Sequence, residues 1–256
     1  MRVAVTGSQG KLGQALLPAL EAAGWAVRGH ARVAADVAGD RRDPAVLARL
    51  LAGVDAVIDL AGFDATDAAL LANVAPPGCR LVYASSLAAL YPDDDYGCGK
   101  RDAEQTFAAC WPGLHTAVRL PHLVGAGGRV RELDYLTQAR REGWCWLPGT
   151  GAQVPACAQV EVVAALCVTL LRDAAPPPLV QVNHPQPQPV RALVAALLAG
   201  AGLPAELRPH PDRRWRGPHA GGDEPVEVLG LPPLDWPSLE LSYRRLGATL
   251  AAAVLD

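Results

Sequence analysis

The chain opens on a short apolar run, Val3-Ala4-Val5, closed by Thr6 and a glycine-rich turn, and then changes period. Leu12, Leu16, Ala19, Leu20 and Ala23 recur at helical spacing up to Gly24, a natural C-terminal stop, with Pro18 expected to bend the helix slightly. The same alternation repeats. Apolar runs at 25–30, 56–60, 80–84 and 116–120 read as strands, and residues 44–51, 66–73 and 96–110 read as helices. Asp43 and Pro44 supply an N-cap followed by a first-turn proline. Parallel neighbours need a crossover between them, so strands alternating with helices predict an α/β fold with a doubly wound parallel sheet.

After Gly125 the pattern loosens. Residues 131–142, 161–173 and 190–199 read as helices and 179–183 as a strand, while 203–225, rich in Pro, Gly and Arg, reads as a long loop or lid. The expected organisation is a regular core over residues 1–125. Residues 126–256 then carry the last sheet elements, interleaved with a small C-terminal lobe.

Composition narrows the class. Half of the 256 residues are apolar and the formal net charge is −3, which gives no global case for nucleic acid or an anionic membrane surface. The apolar runs are too short to cross a bilayer. The first residues enter a strand directly, so no signal peptide is expected and a cytoplasmic location is predicted. Six cysteines (Cys79, Cys98, Cys110, Cys145, Cys157 and Cys167) are scattered without paired short spacings, as are six histidines. They read as reduced thiols and ordinary side chains, and no metal is expected.

The first strand–helix junction carries Gly7-Ser8-Gln9-Gly10-Lys11-Leu12-Gly13. At this spacing Gly7 can make the tight turn, Gly10 can let backbone N–H groups approach a pyrophosphate, and Gly13 can let the helix pack on the strand. A glycine trio also marks any tight turn; its place at the first junction favours a dinucleotide. After the second strand, Ala31 stands where a site for NAD would carry a carboxylate, and Arg32 follows. Arg28 and Arg32 are both candidates for a 2′-phosphate, Arg32 the better placed. The preferred cofactor is therefore NADP, with NAD as the alternative.

Tyr96-Gly97-Cys98-Gly99-Lys100 sets a phenol and an ammonium four residues apart at the start of a helix. A free tyrosine is a poor base at neutral pH, and a neighbouring ammonium favours its phenolate. Such a pair exchanges a proton with a carbonyl or carbinol oxygen. Ser86, just past the preceding strand, can hydrogen-bond the same oxygen. Tyr and Lys at this spacing are common on protein surfaces; their place behind a glycine turn and the Ser85-Ser86 pair makes Tyr96, Lys100 and Ser86 the candidate catalytic set.

With these segments in order, the first half of the chain resembles the extended short-chain dehydrogenase/reductases, the NAD-dependent epimerase/dehydratase family. The matching stretches are Thr6 to Gly13, Gly39-Asp40, Val54 to Gly62, Leu81 to Ser86, Tyr96 to Lys100 with Glu104, and Arg119 to Gly125. The resemblance implies a Rossmann core with a small substrate lobe. It implies Asp40 and Arg41 beside the adenine, Ala61 and Gly62 beside the ribose and pyrophosphate, and Pro121 and Leu123 near the carboxamide. Lys100 would also touch the cofactor ribose. The stretch between Asp59 and Arg80 is short for the family, and Cys157 to Glu161 replaces a histidine-and-aspartate segment. A trimmed, divergent member is expected.

The leading functional expectation is an oxidoreductase acting at a carbonyl or carbinol carbon of a small molecule, as a monomer or homodimer. An epimerase or dehydratase on a nucleotide sugar, with tightly held cofactor, uses the same parts. A non-catalytic NADP-sensing protein needs only the nucleotide cleft, and the Tyr, Lys and Ser set argues against it. In the second half, Trp144, Trp146 and Trp236 are candidates for an apolar pocket. Arg208, Arg213, Arg214 and Arg216, with His210 and His219, form a basic cluster that is either a phosphate contact or a solvated loop.

Overall fold

The computed structural model describes residues 1–128, 131–212 and 234–255. They divide into two compact units, Met1–Leu120 with Val160–Val182, and Pro121–Gln159 with described parts of 183–227 and 235–256. Along the first unit run β1 (Arg2–Thr6), α1 (Lys11–Ala22), β2 (Ala26–Ala31), β3 (Val37–Ala38), α2 (Pro44–Leu51), β4 (Ala56–Asp59), α3 (Ala65–Val74), β5 (Arg80–Ser86), α4 (Asp95–Cys110) and β6 (His115–Leu120). The second unit begins with β7 (His122–Val124), α5 (Leu133–Glu142), β8 (Trp144–Pro148) and β9 (Cys157–Gln159). The chain returns to the first unit for α6 (Val160–Arg172) and β10 (Leu179–Gln181). It closes in the second with α7 (Val190–Gly200), β11 (Glu206–His210) and α8 (Leu239–Leu255).

In the first unit, seven strands form one parallel sheet in the order β10-β6-β5-β4-β1-β2-β3. The predicted α/β class with a doubly wound sheet is what the chain forms. Strand residues alternate between faces. Ala4, Val57, Leu81 and Tyr83 join Leu47, Leu50, Leu71, Ala103 and Phe107 of α2, α3 and α4 in one core, while α1 and α6 pack together elsewhere on the sheet. Asp43 caps α2 by accepting from the Ala45 N–H at 2.8 Å, with Pro44 opening the helix. The C-terminal ends of β1, β4 and β5 therefore come side by side, and the connections leaving them carry the candidate residues.

The second unit holds its own core, with Val124, Leu136, Leu147, Leu193, Leu197, Leu239, Tyr243 and Leu246 buried together. Here the structure corrects the sequence. Within the expected loop 203–225, residues Glu206–His210 form β11, paired in parallel with β8. Leu203, Ala205 and Leu207 pack on the core, and Pro209 is tolerated because each strand of a two-stranded sheet is an edge. Residues 213–225 of that expected loop lie outside the described residues. The short strands β3, β7, β8 and β9 and the helix α8 had no counterpart in the expectation. Among the described residues no helix is long and apolar enough to cross a membrane.

Candidate active site

Site construction starts at the β1–α1 turn. Gly7 has φ +66°, a conformation that favours glycine. The Gly10 N–H closes the turn on the Gly7 carbonyl at 2.9 Å. A Cβ at Gly13 would stand 2.5 Å from the carbonyl oxygens of both Gly7 and Ser8, so α1 can lie this close to the turn only with glycine there. Ser8 is buried, and its N–H and Oγ donate to the His30 carbonyl at 3.0 and 3.1 Å, tying the turn to β2. Gln9 donates to the Ala34 carbonyl at 2.9 Å. Lys11 is the first residue of α1 and half-buried, Leu12 is buried, and the first turn has neither a side-chain cap nor an acid. Its backbone N–H groups thus present an uncompensated positive end. An open cradle of this kind, which a Cβ at Gly10 or Gly13 would crowd, fits a dinucleotide pyrophosphate.

At the end of β2 the two arginines separate. The Arg28 guanidinium donates to the carbonyls of Arg49, Leu50 and Ala52, each at 3.0 Å. It caps the C-terminus of α2, and the expectation that it shares in binding a 2′-phosphate is corrected for that reason. Arg32, the first residue beyond β2, is exposed, with no hydrogen bond or ion pair to the described residues. Counting along the chain pointed to Ala31 for an acid and missed Asp36. The backbone between Ala31 and Val37 folds Asp36 back, and its carboxylate accepts from the Gly29 N–H at 2.8 Å.

Asp40 is exposed and accepts from the Arg42 N–H at 2.9 Å. Arg41 turns inward, pairing with Asp59 at 3.1 Å and Asp67 at 2.7 Å. Arg42 adds pairs to Asp67 at 2.7 Å and Asp64 at 2.9 Å. Asp59, fully buried at the end of β4, also accepts from the Thr6 hydroxyl, from the Ala61 N–H at 3.2 Å and from the Gly62 N–H at 3.0 Å. This carboxylate shapes the loop containing Ala61 and Gly62. The sequence signal for it was one charge inside the apolar run 56–60.

The candidates Tyr96 and Lys100 stand beside that loop. Asp94 caps α4 by accepting from the Gly97 N–H at 2.7 Å, which places Tyr96 in the first turn, 40% exposed. Lys100, one turn further on, is buried and donates to the carbonyls of Gly62 and Ala84, each at 2.7 Å. Its Nζ lies 6.0 Å from the centre of the Tyr96 ring and 4.9 Å from that of Tyr83. Burial pulls the ammonium down to about 8, with Asp59 the strongest of the charges that hold it up. Ser86 closes β5, and its Oγ accepts from the Ala88 N–H at 3.2 Å. Its neighbour Ser85 instead donates to Glu104, which forks onto Arg119 at 2.7 and 2.9 Å. Phe63, which sequence reasoning passed over, sets its ring 5.3 Å from that of Tyr96.

The remaining candidates belong to the second unit. Pro121 is buried, and Leu123 sits half-buried in β7, which pairs with β9. Trp144 and Trp146 stack edge to face at 4.7 Å, with the Arg208 guanidinium over Trp144 and His210 against Trp146. Arg208 is also paired with Glu206 at 2.7 Å. Trp236 packs edge-on against His184, at 5.3 Å. Arg213, Arg214, Arg216 and His219 lie outside the described residues.

Residues 3–75 match the model of the NAD dependent epimerase/dehydratase family. The chain is 30% identical to the 2′-dehydrokanamycin reductase of Streptomyces kanamyceticus, over 80% of this chain and 68% of that protein. In fold it is similar to an NAD-dependent NDP-hexosamine 5,6-dehydratase of tunicamycin biosynthesis (TM-score 0.75, 18% identity, 100% of this chain and 99% of that one). It is also similar to the Thermus thermophilus UDP-glucose 4-epimerase in complex with NAD (TM-score 0.69, 18% identity, 83% and 87%).

Proposed function

The chain belongs to the NAD-dependent epimerase/dehydratase family, and from that premise we propose that it is an NAD(P)-dependent oxidoreductase in which Tyr96 moves the proton. The observation that carries this reading is the buried Lys100 ammonium, set beside the ring of a half-exposed tyrosine and hydrogen-bonded to the Gly62 carbonyl. The turn from Gly7 to Gly13 would hold the pyrophosphate. The Ala61-Gly62 loop and Lys100 would flank the ribose. When bound, the dinucleotide supplies the redox chemistry. Tyr96 gives its phenolic proton to a carbonyl oxygen in reduction, or takes the carbinol proton in oxidation. Lys100 stabilises the phenolate by its charge, and Ser86 donates a hydrogen bond to the same oxygen.

The reductase relative supports a keto-sugar or aminosugar ketone as substrate. Similarity in fold to an epimerase and a dehydratase supports the second reading, a reaction on a sugar without net cofactor consumption. Exposed Arg32 favours NADP, whereas Asp36 at the same strand end favours NAD. Purified protein offered keto-sugars should consume NAD(P)H in step with substrate; conversion without consumption selects the second reading. Tyr96→Phe should lower turnover by about 10²–10⁴-fold while dinucleotide binding is retained. Unchanged turnover in that variant refutes the role given to Tyr96.

A further inference from the structure

The chain carries 21 arginines and only two lysines, Lys11 in the glycine turn and Lys100 in α4. Histidines aside, every basic residue apart from these two is an arginine. An ammonium at Lys100 is a compact donor, and it is stationed where two carbonyls converge, those of Gly62 and Ala84. A charge so deeply buried needs a counter-charge nearby. The acidic groups acting on it are Asp59 at the end of β4, Asp67 on α3 and Glu104 on α4. Asp67 is paired with both Arg41 and Arg42, and Glu104 is forked onto Arg119. Tyr83 of β5 and Tyr96 of α4 present their rings to it, and Arg41, ahead of α2, opposes it.

Asp59 does two things at once. Its Oδ1 accepts from the N–H groups of Ala61 and Gly62, and Gly62 then offers its own carbonyl to Lys100. It is also fully buried. We propose that Asp59 is a positioning residue that acts through Lys100. Its carboxylate fixes the Gly62 turn that receives the ammonium and balances that ammonium's charge inside the protein. Arg41 limits this effect by sharing the same carboxylate at 3.1 Å. The inference rests on Tyr96 and Lys100 being the working pair. It adds a determinant of when Lys100 is charged, set from a strand end 41 positions earlier in the chain.

Having only two lysines makes the test direct. Protein labelled with ¹³C at the lysine ε-carbons gives two signals, assigned with Lys11→Arg, and each is followed through a pH titration. In the wild type the Lys100 midpoint is expected near about 8. In Asp59→Asn it should fall by about one unit or more, with that of Lys11 unmoved and the alkaline side of the turnover profile following it. Asp59→Asn leaves Arg41 without one of its two carboxylates, which costs stability. In Asp59→Asn/Arg41→Met both members of the pair are gone. There the Lys100 midpoint should lie below the wild type but above the single variant, because the carboxylate is the stronger of the two influences. A midpoint at the wild-type value or above, in either folded variant, overturns the proposal. Tyr96→Phe separates this from failure of the underlying reading: turnover unchanged there removes the catalytic pair, whatever Lys100 does in the titration.

Discussion

The ring of Phe63 meets the ring of Tyr96 edge-on, with centroids 5.3 Å apart and planes inclined at 61°. Both rings are partly exposed, at 46% and 40%, and Phe63 is anchored through its backbone, where its N–H donates to Asp67 at 2.9 Å. The contact is a lateral wall for the phenol. Edge-to-face pairs contribute about 0.5–1.5 kcal/mol beyond their area. Phe63→Ala should therefore lower kcat by about 2–10-fold, with the melting temperature almost unmoved because the ring is half in water. An unaltered kcat would show that the Tyr96 rotamer is held by something else.

Gly13→Ala tests the cradle. The new methyl would meet two backbone carbonyls at 2.5 Å, and backbone cannot swing aside as the end of a side chain can. The expected loss of stability is about 1–3 kcal/mol by denaturant unfolding, with weaker dinucleotide binding by fluorescence titration. Wild-type binding in this variant would place the dinucleotide elsewhere.

The Lys100 ammonium gives stability a pH dependence of known sign. Its folded value, about 8, lies below the ordinary 10.5 because burial disfavours the charged form. Below pH 8 both folded and unfolded states hold the proton, and the folded state bears the full burial penalty. Between about 8 and 10.5 the unfolded chain binds more protons, so unfolding free energy rises with pH, and above that window the effect is complete. The stability of wild type relative to Lys100→Met should rise across the window by at most roughly 3 kcal/mol. A difference that is flat with pH would show that Lys100 is not desolvated.

Cofactor choice is tested at the end of β2. Arg32→Ala should weaken NADPH by about 10–100-fold and leave NADH unchanged, as loss of a charge-assisted hydrogen bond predicts. Asp36→Asn should shift preference towards NADPH by removing a like charge from beside the 2′-phosphate. Equal affinities for both cofactors in wild type and both variants would exclude either residue as the determinant.

The sequence by itself determined the alternation of strand and helix, the glycine turn and the spacing of Tyr96 and Lys100. Each is written in local signals: period, capping residues such as Asp43-Pro44, and glycines three apart. It also marked Ser86 by its place after an apolar run. It misread 206–210 within the expected loop, because Arg208 and Pro209 hid a strand whose partner, β8, lies some sixty positions away. It gave no place to α8, although Leu239, Tyr243 and Leu246 repeat at helical spacing and are buried. Only the tertiary structure decided which arginine is engaged and which is exposed, since Arg28 caps a helix that lies apart from it in the chain. The same holds for Asp59, whose partners Thr6, Arg41 and Gly62 come from three separate segments. Charge balance in a buried site depends on distances through space, and no local period along the chain encodes them.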